Sequence, residues 1–129
     1  MKTQILTLLV SASTLALAGC TTVDGLTAEA EISYDGTQNG SHSDKAACDA
    51  EGKLTGRGDI QDGAVQITIR DGQDETIFER TFDSSFDLSG TRLDGHAGTW
   101  TLHAQRTGDD VLGDEFNGDY DVFLNCEGL

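Results

Sequence analysis

The sequence predicts an all-β protein: an antiparallel β-sandwich of about seven short strands in a single domain, residues 28–129. Three observations support this fold class. Apolar and polar side chains alternate along several stretches, which is the pattern of half-buried strands. The intervening turns depend on Gly and Asp, because the 129 residues contain 16 Gly and no Pro. No stretch of this domain has the apolar spacing of a long helix.

The first third of the domain contains one clear strand, predicted for residues 28–35. Its inward face consists of alternating apolar side chains: Ala28, Ala30, Ile32 and Tyr34. A polar loop is expected over residues 35–44, followed by a helical turn or an irregular lead-in over residues 45–48. Residues 53–59 are rich in glycine and have only weak strand character.

The middle of the domain predicts a β-hairpin. Residues 64–70 and 75–82 are its two strands, and residues 71–74 are the connecting loop. The side chains expected to face the core are Val65, Ile67, Ile69, Phe78 and Phe82. A further short strand is expected around residues 86–88.

The last third has the strongest alternation, in residues 98–106 and 119–126. The inward side chains of these two segments are Trp100, Leu102 and Ala104, and then Tyr120, Val122, Leu124 and Cys126. We expect the two segments to pair as antiparallel neighbours, with Trp100 as the core anchor. Their Gly-x-Trp-x-Leu and Gly-x-Tyr-x-Val-x-Leu patterns are similar to the closing strands of jelly-roll and immunoglobulin-like accessory domains. That resemblance covers about thirty residues and implies a type of fold but no activity.

A targeting segment precedes the domain. Lys2 is followed by an apolar run that is shorter than the roughly 20 residues needed to span a membrane. The run ends in Leu17-Ala18-Gly19-Cys20, which resembles the lipobox of bacterial lipoproteins, the site cleaved by signal peptidase II. An ordinary secretory signal that happens to contain a cysteine is the alternative.

The lipobox resemblance implies a location in the cell and a lipid anchor. Residues 1–19 would be removed as a signal peptide, and Cys20 would carry fatty acyl chains such as palmitate, each buried methylene contributing about 0.8 kcal/mol. Residues 20–27 would form a short tether, of which residues 21–27 reach at most about 25 Å. The implied location is the cell envelope, and Thr21 after the cysteine favours the outer membrane.

The charge balance limits the partners. The formal net charge is −15 and the pI is about 4.1. Such a surface argues against binding to nucleic acid or to anionic lipid, since both are negatively charged. It is typical of salt-adapted proteins and also of exported domains selected for solubility, and the composition is compatible with either.

The two cysteines that remain after Cys20 predict a disulfide between Cys48 and Cys126, the usual outcome for an even pair in an exported protein. Closing a loop of this length would stabilise the domain by about 4 kcal/mol. A two-thiol metal site is the less favoured alternative, because no Cys-x-x-Cys spacing accompanies either residue.

A crowded acidic loop near the C-terminus is the candidate cation site. The residues assigned to it as calcium ligands are Asp109, Asp110, Asp114 and Asp119, with Glu115, Asn117 and Asp121 nearby. Their spacing does not match an EF-hand loop. The alternative is a solvated acidic hairpin in a chain that is acidic throughout.

The histidines offer a weaker candidate site. His42 and His96 lie in polar segments beside Asp44 and Asp94, so a His/Asp metal or acid-base site is conceivable. His103 is expected to point to solvent. The arginines are expected to be solubilising side chains at strand ends: Arg57, Arg70, Arg80, Arg92 and Arg106.

No motif of nucleophilic catalysis or phosphate binding is present in the sequence, so a non-enzymatic role is expected. The first hypothesis is a lipid-anchored sandwich that binds an envelope protein or glycan, or acts as a structural accessory. The second is a calcium- or cation-responsive binding module, and the third is a small hydrolase.

Overall fold

The computed structural model describes residues 27–108 and 113–126, and the predicted all-β class is confirmed. The lipobox, Cys20, Asp109 and Asp110 lie outside the described residues. The strands are β1 (Glu29–Gly36), β2 (Gly40–Cys48), β3 (Glu51–Asp62), β4 (Ala64–Arg70), β5 (Thr76–Phe82), β6 (Phe86–Asp87), β7 (Thr91–Asp94), β8 (Gly98–Thr107) and β9 (Asn117–Cys126). In this part of the chain, no helix is long and apolar enough to cross a membrane.

Two antiparallel sheets form the sandwich. The five-stranded sheet has the order β1-β9-β3-β6, and β7 also pairs with β3. The four-stranded sheet has the order β2-β8-β4-β5. Each sheet turns one face inward, because side chains alternate between the two sides of a strand.

The core consists of the inward rows of both sheets. Its largest fully buried side chains are Trp100, Tyr120, Phe116, Leu54, Ile67, Ile69, Leu102, Leu124, Val65 and Val122. The predicted inward rows of β4, β8 and β9 are therefore confirmed. Phe78 is buried as predicted, whereas Phe82, the last residue of the edge strand β5, is only partly buried.

The predicted pairing of the last two strands is wrong. β8 pairs with β2 and β4 in the four-stranded sheet, and β9 pairs with β1 and β3 in the five-stranded sheet. Alternation establishes which side of a strand faces the core, but it does not determine which strand lies beside it. Each of these two strands is an inner strand of its own sheet, hydrogen-bonded on both sides.

The polar loop expected over residues 35–44 and the helical turn or irregular lead-in expected over residues 45–48 are also wrong, because most of this segment is β2. β2 is an edge strand, and its first six residues are exposed on both sides, so the segment shows no alternation. Only its last three residues, Ala46, Ala47 and Cys48, are buried.

The weakly strand-like residues 53–59 lie within β3, the longest strand at 12 residues. Glycines interrupt the alternation of apolar and polar residues in β3, and one of them is required by the packing of the core. Gly58 lies at an inward position, where a Cβ would collide with the ring of Phe86 and approach the Cβ of Tyr120 to 2.9 Å. The absence of a side chain there lets two aromatic residues occupy the core.

The predicted disulfide is present: Cys48 and Cys126 are joined with their Cα atoms 5.2 Å apart. Cys48 ends β2 and Cys126 ends β9, so the bond links the two sheets. The chain just before β1 binds both strands at the same place. The carbonyl of Thr27 accepts the Ala47 N–H at 2.7 Å, and that of Ala28 accepts the Cys126 N–H at 2.9 Å.

Candidate functional site

The outer face of the five-stranded sheet, here called the acidic face, carries most of the strand carboxylates. They are the exposed side chains of Glu29, Glu31, Asp35, Glu51, Asp59, Asp87, Asp94, Asp119 and Asp121. The cationic side chains among them are Lys53, Arg57 and Arg92. In one cross-strand row, Asp119 lies between Asp35 and Asp59, so like charges are directly opposed.

The outer face of the four-stranded sheet, here called the neutral face, has a different composition. Its charged side chains are Lys45, Arg70 and Glu79. The others are mostly hydroxyls, amides and an imidazole, from Ser41, Ser43, Gln66, Thr68, Thr81, Thr99, Thr101, His103 and Gln105. Among the outward side chains of the described strands, the carboxylates are therefore concentrated on one side of the sandwich.

A shallow groove of about 360 Å³ crosses the neutral face, a size within the roughly 300–1,000 Å³ of small-molecule sites. It is lined by Gln66, Thr68, Arg70, Glu79, Thr101, His103 and Gln105. Thr68 is 7% exposed although it points outward, so it forms the floor of the groove. His103 points outward as predicted and is half-buried, with its Nδ1 2.7 Å from the Ser43 hydroxyl.

The groove is an ordered ladder of side chains, because β4 and β8 lie side by side. Three cross-strand pairs follow one another along it: Gln66 with Gln105, Thr68 with His103, and Arg70 with Thr101. Successive outward residues on a strand are about 6.7 Å apart, and neighbouring strands about 4.8 Å apart. Hydrogen-bonding groups thus form a regular two-dimensional grid.

A second cluster lies where the β4–β5 loop meets the β7–β8 loop. The buried carboxylate of Asp71, 1% exposed, accepts four hydrogen bonds. Its Oδ1 accepts the backbone N–H groups of Gln73 at 2.9 Å and Glu75 at 3.0 Å. Its Oδ2 accepts the backbone N–H of His96 at 2.8 Å and lies 2.8 Å from the ring Nδ1 of His96.

These donors determine the charge state of Asp71. Burial alone would raise the pKa of the carboxyl, but the backbone N–H groups of His96, Glu75 and Gln73 and the His96 ring outweigh it and hold the pKa well below its usual range. The carboxylate is ionised and can only accept, so the ring Nδ1 must carry the proton in this hydrogen bond.

The two loops approach too closely for side chains between them. A Cβ on Gly72 would collide with the carbonyl of Ala97, and one on Gly98 would lie 2.9 Å from the Cα of Gly72. The carbonyl of His96 accepts the N–H of Gly72 at 2.9 Å and the indole N–H of the buried Trp100 at 2.8 Å. The cluster is therefore held rigidly against the core.

The calcium site expected in the acidic loop falls partly outside the described residues. Asp109 and Asp110 lie outside the described residues, Asp114 is exposed, and Asp119 lies on the acidic face of β9. Within residues 27–108 and 113–126, the group of potential metal ligands that comes together is a different one: Asp71, Glu75 and His96, with ligand atoms within 4.8 Å of one another.

The structure does not combine His42 and His96 into one site. His42 pairs with Ala104 near the end of β8, whereas His96 precedes Gly98, the first residue of β8. The two histidines therefore lie toward opposite ends of the sandwich.

The solubilising role expected for Arg106 is wrong, because this residue is 5% exposed. Its position on β8 has the same parity as Trp100, so the strand turns it inward. The guanidinium lies 3.6 Å from the centre of the Tyr34 ring. It donates from Nη1 to the Tyr120 hydroxyl at 3.1 Å and from Nε to the Gln38 carbonyl at 3.0 Å. Burial raises the pKa of Tyr120, against the opposing effect of Arg106.

No family model matches the chain, and no curated protein matches it significantly.

The sequence contained one signal for the Asp71 cluster. An Asp at the start of a hairpin loop commonly accepts hydrogen bonds from backbone N–H groups two or more residues later, as Asp71 does from Gln73 and Glu75. Its contact with His96, 25 residues away, follows only from the folded arrangement of the two loops.

Proposed function

We propose that this protein is a lipid-anchored, non-enzymatic component of the cell envelope that binds a hydroxyl-rich glycan through its neutral face. The observation that carries the proposal is the segregation of charge. One side of the sandwich concentrates carboxylates, while the other presents a grid of amide, hydroxyl and imidazole groups.

The chemistry of the neutral face favours a glycan over a protein partner. Protein interfaces depend on aromatic and other large apolar side chains at their centre, and the lining of this groove contains none. The amides of Gln66 and Gln105 and the hydroxyls of Thr68 and Thr101 both donate and accept hydrogen bonds. Sugar hydroxyls also do both, so each of these groups has a possible partner.

The anchor would bring this face close to its ligand. The lipobox Leu17-Ala18-Gly19-Cys20 supports acylation of Cys20, and the tether that follows is short. A domain held within a few tens of ångströms of the membrane meets envelope polysaccharide at a high effective concentration. Even weak hydrogen bonding to each sugar unit would then hold the domain in place.

Replacing both glutamines, Gln66→Ala with Gln105→Ala, is expected to weaken glycan binding about tenfold or more. Each substitution removes one or more neutral hydrogen bonds of about 0.5–1.5 kcal/mol. A tenfold change in affinity corresponds to about 1.4 kcal/mol. The purified chain would be measured on a printed array of neutral and acidic polysaccharides, then by titration with the strongest binder.

The matched control is the double variant Asp35→Ala with Asp119→Ala on the acidic face, which should bind the glycan unchanged. Both pairs are outward side chains on strands, so neither should unfold the domain. Loss of binding in the control with retention in the glutamine variant would refute the assignment to the neutral face, as would no binding to any polysaccharide.

The anchor is tested separately. In native cells, labelled palmitate should enter the protein, and Cys20→Ser should block both labelling and recovery in the membrane fraction. The Cys48→Ser, Cys126→Ser double variant, which keeps Cys20, should remain labelled. Absence of label from the native chain, together with an unchanged distribution of Cys20→Ser, would contradict lipid anchoring.

A cation-responsive role is the second candidate function. The observation that favours it is the proximity of Asp71, Glu75 and His96, rather than the acidic loop expected from the sequence.

A further inference from the structure

We propose that Asp71, Glu75 and His96 form a binding site for a single divalent transition-metal ion, with Zn²⁺ as the representative ion. The inference specifies the ion for the second candidate function. It is independent of glycan binding and of the lipid anchor, so each can fail without the others.

The positions of the ligand atoms are close to those required. One oxygen of each carboxylate and one ring nitrogen of His96 lie within 4.8 Å of one another. The Oδ2 of Asp71 and the Nδ1 of His96 are 2.8 Å apart. Two ligands of a tetrahedral Zn²⁺ at about 2.0–2.1 Å are separated by about 3.3 Å, so a widening of about half an ångström would admit the ion.

The ion would take the place of the Nδ1 proton. The His96 ring would adopt its other neutral tautomer, with the hydrogen on Nε2, leaving the Nδ1 lone pair for the metal. The carboxylate of Glu75 is exposed and on a flexible side chain, so it can rotate to become the third ligand. Water would complete the coordination, as in open zinc sites.

The hydrogen bonds that would orient Asp71 as a metal ligand are already present. Asp71 would keep its hydrogen bonds from the backbone N–H groups of Gln73, Glu75 and His96, which orient the carboxylate whether or not a metal is bound. Such outer hydrogen bonds are typical of metal-binding carboxylates and histidines. The close packing of Gly72 against Ala97 holds the two loops that carry the ligands.

The donor set selects the class of ion. Calcium requires six to eight oxygen ligands, and two of the four lone-pair directions of Asp71 are turned to the N–H groups of its own loop. Magnesium requires near-octahedral oxygen coordination. An imidazole nitrogen with two carboxylate oxygens suits zinc and its neighbours, and two negative charges balance the charge of the ion.

The site is open to solvent on one side, as metal uptake requires. Half of the His96 side chain is exposed, and Glu75 is exposed as well, whereas Asp71 is buried beneath them. An entering ion would therefore meet the ring and Glu75 before it reached Asp71.

The experiment is isothermal titration of the full chain, purified metal-free in detergent, with Zn²⁺, Ca²⁺ and Mg²⁺ separately. We expect one Zn²⁺ per chain, a higher melting temperature with Zn²⁺, and neither effect from the other two ions. Glu75→Gln and His96→Gln should each weaken Zn²⁺ binding at least tenfold. Glu79→Gln, the same change on the same hairpin, should leave binding unchanged.

Glu75→Gln is the decisive variant, because its side chain is exposed and the backbone groups that bind Asp71 remain. Equal Zn²⁺ affinity in Glu75→Gln and the native chain would overturn the proposal. So would a thermal shift with Ca²⁺ that matches the shift with Zn²⁺, or binding that is lost equally in the Glu79→Gln control.

Discussion

Replacing Cys48 and Cys126 together by serine is expected to lower the free energy of unfolding by about 4 kcal/mol. The two residues are separated by 78 positions, and opening so long a loop restores much conformational entropy to the unfolded chain. The bond also joins the end of β2 to the end of β9, so its loss removes the covalent link between the sheets. Urea denaturation of the native and variant chains would measure the difference.

Reduction of the native chain provides an independent check. Dithiothreitol should lower the free energy of unfolding of the native chain by a similar amount and leave the double variant unaffected. A double variant within 1 kcal/mol of the oxidised native chain would show that the disulfide contributes little to the stability of this sandwich.

Asp71→Ala is expected to destabilise the domain by about 3–5 kcal/mol. The substitution leaves three backbone N–H groups, those of Gln73, Glu75 and His96, without their acceptor in a partly buried setting. It also removes two of the hydrogen bonds that join the two loops, those from the backbone N–H and the ring of His96. Denaturant unfolding would measure the loss, and Asp74→Asn in the same loop should change stability by less than about 0.5 kcal/mol, because the pair it forms with Arg70 is exposed.

The pH dependence of stability tests the same interaction. Because folding lowers the pKa of Asp71, the stabilisation from its ionised form is complete above the carboxyl's ordinary pKa of about 4. It is lost progressively as the pH falls from there toward the lowered pKa of the folded state. The free energy of unfolding of the native chain should therefore fall more steeply below pH 4 than that of Asp71→Asn. The same pH dependence in both chains below pH 4 would contradict an ionised, hydrogen-bonded Asp71.

Much of the fold could be predicted because alternation reports burial. Val65, Ile67 and Ile69 in β4 and Trp100 and Leu102 in β8 are all fully buried, as their spacing indicated. Strand neighbours could not be predicted, because pairing depends on contacts between distant segments. The sequence does not predict β2, because an edge strand with both faces exposed has no alternation, and it predicts β3 only weakly, because glycines occupy its inward positions 56 and 58.

The candidate sites were less predictable than the fold. The neutral face is defined by which strands lie together, since Ser43, His103, Thr68 and Glu79 form one row drawn from four strands. Asp71 and His96 come from separate loops, and no local spacing connects them. The acidic loop groups carboxylates that are close in sequence, and the structure places one of them, Asp119, on a strand whose neighbours oppose it with Asp35 and Asp59.

The hydrogen bonds of Thr27 and Ala28 have a mechanical consequence. A pull on the chain before Thr27 is transmitted at once to Ala47 in one sheet and to Cys126 in the other. The adjacent disulfide joins these two strands covalently, so a force applied at the N-terminal end does not separate the two sheets there. Forced extension would have to peel β1 from β9 first, and the cross-linked remainder would resist rupture until its sulfur–sulfur bond was reduced.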